Sequence, residues 1–593
     1  MKKKLGVALG IIYILLILVI FKAWFLPGVI TGGDMSYFFP SMYDNFQIHP
    51  SDWAFFAGNG FGGTAIPHMP IIFIISILFF FGKTFSLSWD MLLRIFILFP
   101  FLICSTLFPY LLFKKLFPEN PFAIISSFLF TLNTYVLMLV SGGLVIIGIA
   151  YALIPLSFLF VFNILESTDR NKKVLIFQIL SLGLAFGIQS ILDVRVTYMT
   201  VIGVGIYLLS LLFINKEYFI ALKKFIFILV IPLLICGLIN SFWIIPALLY
   251  GSNPLEQLGD NYTTVESVRF FSFAKFENTI SLLHPNWPEN IFGKTYFQRP
   301  EFLLFSILAF LSLLFVGKYN KKIILPVVII GIIGAFLAKG ANEPFGQIYI
   351  FLFENVPGFV FYRDPTKWYM LIALSFAILI PFTLFELYKK YRKVALFIPV
   401  LFVVYFLITI FPALLGNLSG TLQTSEVPEE YAKFEEFMLQ QKPGRVLWVP
   451  SPSRFSYYSE KHPAVYGNKY FNINKPSEIA GRLNTETIKR LAEKSVKYIA
   501  IPYDNRGEIF LEDRVYDNEE YLRTVDNVDN NIELQKIGNF GNLKLYKIEN
   551  GVELDLQFNS NKNRSKAVDL GVTISLVTLV LVTMAFLILK LKK

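Results

Sequence analysis

Runs of roughly twenty apolar residues, repeated along almost the whole chain, constrain this sequence more than any other feature in it. A hydrocarbon layer about 30 Å thick demands helices of that length; a soluble core does not. Of the 593 residues, 55% are hydrophobic and only 16% are charged, so few runs are interrupted by a polar face. The expected fold is an all-α polytopic membrane domain of about twelve transmembrane helices, at about 5–26, 89–113, 122–140, 143–163, 174–192, 196–214, 225–248, 302–317, 323–338, 367–388, 394–415 and 568–589. The first run follows Lys2, Lys3 and Lys4 and is longer than the apolar part of a secretory signal. No small-residue cleavage site follows it, so it is expected to remain as a span.

A net charge of +11 would point to nucleic acid in a soluble protein, but here the excess basic residues sit in short clusters between apolar runs. They are topology signals, and no nucleic-acid partner is expected. The doubtful segment is 71–81. Counting it as a crossing places Lys114/Lys115, Arg170/Lys172/Lys173, Lys216/Lys223/Lys224, Lys318/Lys321/Lys322 and Lys389/Lys390/Arg392/Lys393 opposite the basic N-terminus. Treating it as an interfacial or half-entering helix, for which its roughly dozen apolar residues are suited, puts every cluster in the cytoplasm. Both termini are then cytoplasmic. External loops follow at 27–88, 249–301 and 339–366, with a short turn at 192–196.

Residues 416–567 are the long polar stretch, expected to form a small extracytoplasmic α/β domain between the membrane domain of 1–415 and the last helix and cytoplasmic tail of 568–593. Strands are expected at 445–449 and 496–502, helices at 429–440 and 485–494, and a hairpin over 532–548 turning at Asn539–Gly541. Cys104 and Cys236 both lie within apolar runs, which supports neither a disulfide framework nor a thiolate metal site.

Transporters usually carry ionisable residues or broken helices near the middle of their spans, and these span centres are almost free of charge. Asp34, Asp44, Asp52, Asp193, Arg195, His284, Arg299, Arg363, Asp364 and Lys367 all fall at or just beyond one boundary instead, with Arg94 near the same end. Asp34 sits in Thr31-Gly32-Gly33-Asp34-Met35-Ser36-Tyr37, directly after the first run. A carboxylate there can act as a general base on a sugar hydroxyl; one base suffices when the leaving group is a phosphate ester that needs no proton. Gly-Gly-Asp is equally ordinary capping chemistry for a helix beginning at Met35. Arg363 and Lys367 open a late span and suit a lipid phosphate whose tail stays in the bilayer, or simple interfacial anchoring beside Trp368. Asp193 and Arg195 suit a mutual ion pair at a helix turn or a place in a substrate site, and His284 and Arg299 fall in the second long loop. The glycines of Gly58-Asn59-Gly60-Phe61-Gly62-Gly63 lack the Lys-Ser/Thr of a phosphate loop, so a tight turn is expected there. His49 and His68 lack a close-spaced set of metal-binding partners.

Three features in this order resemble the GT-C membrane glycosyltransferases: Gly33-Asp34 after span one, a Trp53…Gly60…Pro67…Pro70 segment entering a short apolar helix, and Arg363-Asp364-Pro365-Thr366-Lys367-Trp368 opening a late span. Within that superfamily, the chain resembles YfhO-like proteins and the membrane part of the arabinofuranosyltransferase D type, over roughly residues 1–415. The resemblance implies an inverting glycosyltransferase that takes a sugar from a polyprenyl-phosphate carrier, with Asp34 in the catalytic position. The acceptor would be an extracytoplasmic cell-envelope glycan, lipid or protein. Candidate contacts to the donor phosphate are Arg363, Lys367 and Arg299; candidate substrate-lining residues are Asp193, Arg195, His284 and Trp53. Where the family has a second acid beside the first, this chain has Met35 and Ser36, which puts dependence on a divalent metal in doubt. No other cofactor is implied. Two other readings remain open: a lipid-glycan translocase or other transporter, and a non-catalytic envelope scaffold that has kept the fold.

Overall fold

A computed structural model describes residues 2–45, 48–166, 172–214, 218–250, 263–285, 300–318, 320–394, 396–503, 518–549, 552, 554 and 562–591. Most of them are helical, and eight described helices are long and apolar enough to cross a membrane, which makes this a multi-pass membrane protein. Two further runs are bent pairs: Ala123–Thr131 with Thr134–Ser141, at 47°, and Leu229–Ile239 with Ser241–Tyr250, at 80°. Lys4–Ile20, Leu303–Phe315 and Phe397–Thr409 are shorter apolar helices. Each of the expected spans corresponds to one of these helices.

The bends have side-chain causes. Asn133 accepts from the Val136 amide at 3.0 Å, capping the second helix of its pair, and donates to the Leu129 and Phe130 carbonyls, both at 2.9 Å, closing the first. Asn240 donates to the Cys236 carbonyl at 2.9 Å and to the Gly187 carbonyl of the neighbouring helix at 3.2 Å. In each case one buried amide satisfies backbone groups that a break in hydrocarbon would strand.

The segment read as a dozen residues at 71–81 is longer. Pro70 sits in its first turn, and it runs as one helix, Met69–Phe85, ending at a left-handed Ser86. With the turn before it, Ile66–Phe85 is one of the eight helices of spanning length. Both of its ends meet the same loop. At one end His68 lies edge-on to Phe56; at the other Lys83 pairs with Asp44, and Phe79 packs on Tyr43 at 4.9 Å. The helix expected to start at Met35 is absent: Gly32 and Met35 bridge across a tight turn with Asp34 at its tip, and the next helical residues are Pro40–Asn45.

The strands, helices and hairpin expected within 416–567 are all present, and further elements join them. Strands β1 (Trp53–Ala54) and β2 (Gly63–Thr64) form a small ribbon in the first long loop. The main sheet contains β3 (Arg445–Trp448), β4 (Ala464–Tyr466), β5 (Val496–Ile501), β6 (Leu534–Phe540) and β7 (Leu543–Ile548), in the order β4-β3-β5-β7-β6. The first three run parallel, and the β6–β7 hairpin pairs antiparallel to β5. Strand alternation sends Leu447, Ile499 and Ile501 to a core with helices Pro476–Gly481, Thr485–Glu493 and Asn518–Asp529. It sends Val446, Trp448, Tyr498 and Ala500 toward helix Glu429–Leu439 and a core continuous with the membrane domain. Beyond the expected elements are β4 and the helices Gly467–Phe471, Pro476–Gly481 and Asn518–Asp529.

The domain is bonded to the membrane part. Arg445 donates to the Gly60 and Phe61 carbonyls at 2.9 and 3.1 Å, and Asn59 exchanges two hydrogen bonds with the Tyr466 backbone at 3.0 and 3.1 Å. A Cβ on Gly60 would fall 2.1 Å from the Ala464 carbonyl oxygen, so the backbones meet where only glycine fits.

Candidate active site

The backbone of Asp34 is fixed by the turn it sits in. Its amide donates to the Gly142 carbonyl at 3.0 Å, and the Thr31 hydroxyl donates to the Met35 carbonyl at 2.5 Å, holding the turn closed. Gly33 (φ +56°) and Gly143 (φ +83°) face each other's turns, and a Cβ on either would stand 2.1 or 2.4 Å from a carbonyl oxygen of the other. Residues 419–421 brace the same point: Ser141 donates to the Ser419 carbonyl at 2.9 Å, and Thr421 to the Val140 carbonyl at 2.6 Å. Trp24 donates to the Thr421 carbonyl at 2.7 Å, tying the end of the first span to this brace.

From this turn Asp34 borders a cavity of about 480 Å³, whose wall also carries Arg195, His284, Arg363, Asp364 and Lys367. Four separated stretches of sequence thus converge on one space, and Tyr135, Leu139, Ile147, Phe271 and Phe361 make much of the remainder apolar. Lys367 is held 2.7 Å from Asp364, which also accepts from the Thr366 amide at 3.1 Å and from its hydroxyl at 2.5 Å. Burial alone would raise the Asp364 carboxyl, but Lys367 and the Thr366 hydroxyl outweigh it and hold it below the usual carboxylate range. The Arg363 guanidinium lies over the Phe271 ring at 5.2 Å.

Asp193 and Arg195 form the ion pair their spacing suggested, with the Arg195 Nε 3.0 Å from the Asp193 Oδ1. Asp193 also accepts from the Val196 amide at 3.2 Å, so it fixes the start of helix Val194–Ile214 and presents Arg195 to the cavity without lining it. Tyr362 donates to the Arg195 carbonyl, linking this turn to the Arg363 segment. His284 packs edge-on between Tyr135 (5.2 Å) and Tyr369 (5.1 Å). Burial, with nearby Lys367 acting in the same direction against Asp364, pushes its imidazole down to about 4, so the ring is neutral at physiological pH.

Not every expected residue joins the cavity. Trp53 lies in β1 with its ring against Gly62, where a Cβ would come within 2.4 Å of the indole, and it does not line this cavity. Arg299 lies outside the described residues. Arg94 turns away to the carbonyls of Trp24, Leu26 and Gly28, closing the unravelled end of the first span. His49 pairs with Asp569 at 3.4 Å.

Sequence reasoning missed Gly142-Gly143 and Tyr135; a Gly-Gly pair between two apolar runs was the available signal for the first. A divalent cation would need oxygen ligands beyond Asp34. Asp364 is committed to Lys367 and Thr366, and no group of three or more His, Cys, Asp or Glu side chains converges among the described residues. Among the described residues, this donor set does not fit a metal.

No family model matches the chain, and no curated protein matches it in sequence. Among solved structures it is similar to the mycobacterial arabinofuranosyltransferase AftD, with a TM-score of 0.57 at 12% identity over 92% of this chain. The match spans 40% of AftD's length. An oligosaccharyltransferase from Archaeoglobus fulgidus aligns at a TM-score of 0.45 and 13% identity, over 82% of this chain and 67% of the other. The chain has the fold of the GT-C membrane glycosyltransferases, the superfamily that its Gly33-Asp34 turn and its Arg363–Trp368 segment resemble in sequence.

Proposed function

We propose that this protein is an inverting glycosyltransferase that takes a sugar from a polyprenyl-phosphate carrier and passes it to a glycan, lipid or protein of the cell envelope. The observation that carries the reading is the shared cavity: Asp34 on one wall, Arg195, Arg363 and Lys367 on others, and apolar side chains between them. Asp34 accepts the proton of an acceptor hydroxyl as its oxygen attacks the anomeric carbon. The new C–O bond forms on the face opposite the phosphate, the old anomeric C–O bond breaks, and the lipid phosphate departs with the electron pair. It leaves as a phosphate monoester and needs no proton, so cations serve it better than an acid. Asp34 then releases its proton to water. Phe271 and Phe361 suit the first isoprenoid units, and neutral His284 can donate to a phosphate oxygen without adding charge.

The same reading orients the chain. The helix that begins beyond Arg94, next to Gly28, ends at Lys114–Lys115, about 30 Å further along its axis. Lys114 and Lys115 therefore lie at the end away from Asp34, and on the positive-inside rule both termini are assigned to the cytoplasm and residues 416–567 to the outside. Helix Met69–Phe85, with both ends against the first long loop, then lies along the outer interface.

The test is turnover of a panel of radiolabelled polyprenyl-phosphate sugars by purified wild type and Asp34→Asn. Asparagine keeps the turn, so melting temperature should hold while turnover falls about a hundredfold or more. A well-folded Asp34→Asn protein with wild-type turnover would end the assignment.

A further inference from the structure

Asp34 borders a second cavity, of about 740 Å³, between the first long loop and the α/β domain. Its lining differs in kind from the first. Phe56, Tyr458 and Tyr466 supply aromatic rings, Ser453 and Ser456 hydroxyls, and Arg454 and Lys469 positive charge; Asp34 is the single carboxylate among its lining residues. We propose that this cavity is the acceptor subsite, that the α/β domain is therefore part of the active site, and that the acceptor is an anionic saccharide. Its acid group is held by Arg454 and Lys469 while one of its hydroxyls meets Asp34. The proposal rests on Asp34 being the base.

The cationic wall is built, not incidental. The Tyr37 amide donates to the Arg454 carbonyl at 2.9 Å, so the Arg454 loop is fastened to the chain three residues beyond Asp34. The Ser453 amide donates to the Ser456 hydroxyl at 2.8 Å, closing that loop on itself. Lys469 lies over the Tyr466 ring at 4.6 Å, and the Tyr466 backbone is pinned from both sides by Asn59. The volume falls within the range of small-molecule sites and suits a few sugar rings, whose faces pack on aromatic side chains. Charge decides the orientation. The Asp34 carboxylate repels an acidic group and the two cations attract it, which leaves a hydroxyl as the group that reaches the base.

The experiment measures binding, without turnover, by the full chain in phosphatidylcholine nanodiscs. The probes are tetragalacturonate and its methyl ester, which share a skeleton and differ in charge. The acid should bind at least about tenfold tighter than the ester and weaken as salt rises. Lys469→Gln and Arg454→Gln should each reduce its affinity about tenfold. Lys469 is exposed, so its variant tests the proposal even if Arg454→Gln misfolds. Arg363→Gln, on the other cavity, should leave this affinity unchanged. Soluble dihexanoyl phosphatidylglycerol should not compete; displacement by it would make the cavity a lipid-headgroup site and overturn the proposal. Equal binding of acid and ester, or an unchanged affinity in the Lys469 variant, would do the same. Because no transfer is measured, these failures leave the donor-side reading standing, whereas full turnover by Asp34→Asn would remove that reading without altering the binding result.

Discussion

The amide of Asp34 and the carbonyl of Gly142 meet at 3.0 Å, joining the loop after the first span to the turn between two later helices. The catalytic candidate is thus placed by two glycine turns packed face to face. Gly33→Ala and Gly143→Ala would each set a methyl group within 2.4 Å of a carbonyl oxygen, in a left-handed backbone that alanine resists. Each should cost about 1–3 kcal/mol of stability and, by moving Asp34 a fraction of an ångström, more than about tenfold in turnover. Gly205→Ala, in a helix with open space around it, is the control and should change neither. Melting curves and turnover on the three proteins decide the matter, and wild-type turnover in both turn variants would rule the arrangement out.

Arg363 and Lys367 differ in how they are held, so their losses should differ. Lys367→Met leaves the Asp364 carboxylate without the ammonium 2.7 Å away, in a site where both are largely shielded from water. A folding penalty of about 3 kcal/mol is expected, seen as a lower melting temperature. Arg363→Ala removes a cation that rests on Phe271 and should raise KM for the lipid donor about ten- to a hundredfold with little change in melting. Equal melting temperatures for the two variants would contradict the distinction.

Much of the architecture was legible because hydrophobic run length reports spanning helices directly, and because the hairpin turning at Gly541 (φ +70°) carries its own turn chemistry. The breaks at Asn133 and Asn240 were not, since one amide barely changes the hydropathy of a run and acts only through carbonyls brought near by folding. Strand β4 escaped for a similar reason: three residues carry no period, and its pairing with β3 is set by the fold. The ionisable residues of the site were visible as a set at one end of the spans. Their convergence was not, because Asp34, Arg195, His284 and Arg363 are brought together only by packing. The capping reading of Asp34 failed because Gly32 and Met35 close a turn instead of starting a helix.

Orientation can be tested on a background with Cys104 and Cys236 replaced. A single cysteine at Asn530, exposed on the α/β domain, should react with a membrane-impermeant maleimide in intact cells, and one at Lys115 should not until the cells are opened. Labelling at Lys115 with Asn530 protected would place the basic clusters outside and turn helix Met69–Phe85 into a crossing span, and labelling of both in intact cells would overturn the count of spans between them.

The last expectation concerns pH and the α/β domain, where His462 is only 2% exposed. Its Nδ1 lies 3.3 Å from the Gly444 carbonyl oxygen, and its ring is edge-on to Tyr498 of β5. Burial pushes the imidazole down to about 4; Lys461 and Lys497 act in the same direction, against hydrogen bonds to the backbone of Gly444 and Met438. An unfolded histidine titrates near 6.5, so between about pH 6.5 and 4 the unfolded chain takes up a proton that the folded domain refuses. Stability from this group is therefore complete above about pH 6.5, declines as pH falls toward 4, and is flat below, a loss of up to about 3 kcal/mol. Hydrogen exchange of the β5 amides in the full-length protein, corrected for intrinsic rates, should report that decline. Buried carboxylates add their own acid dependence, so the decisive quantity is the difference between wild type and His462→Gln. The variant should lose the slope between pH 6.5 and 4.5 while keeping any change below it; an identical slope in both proteins would show that His462 is not the group that titrates.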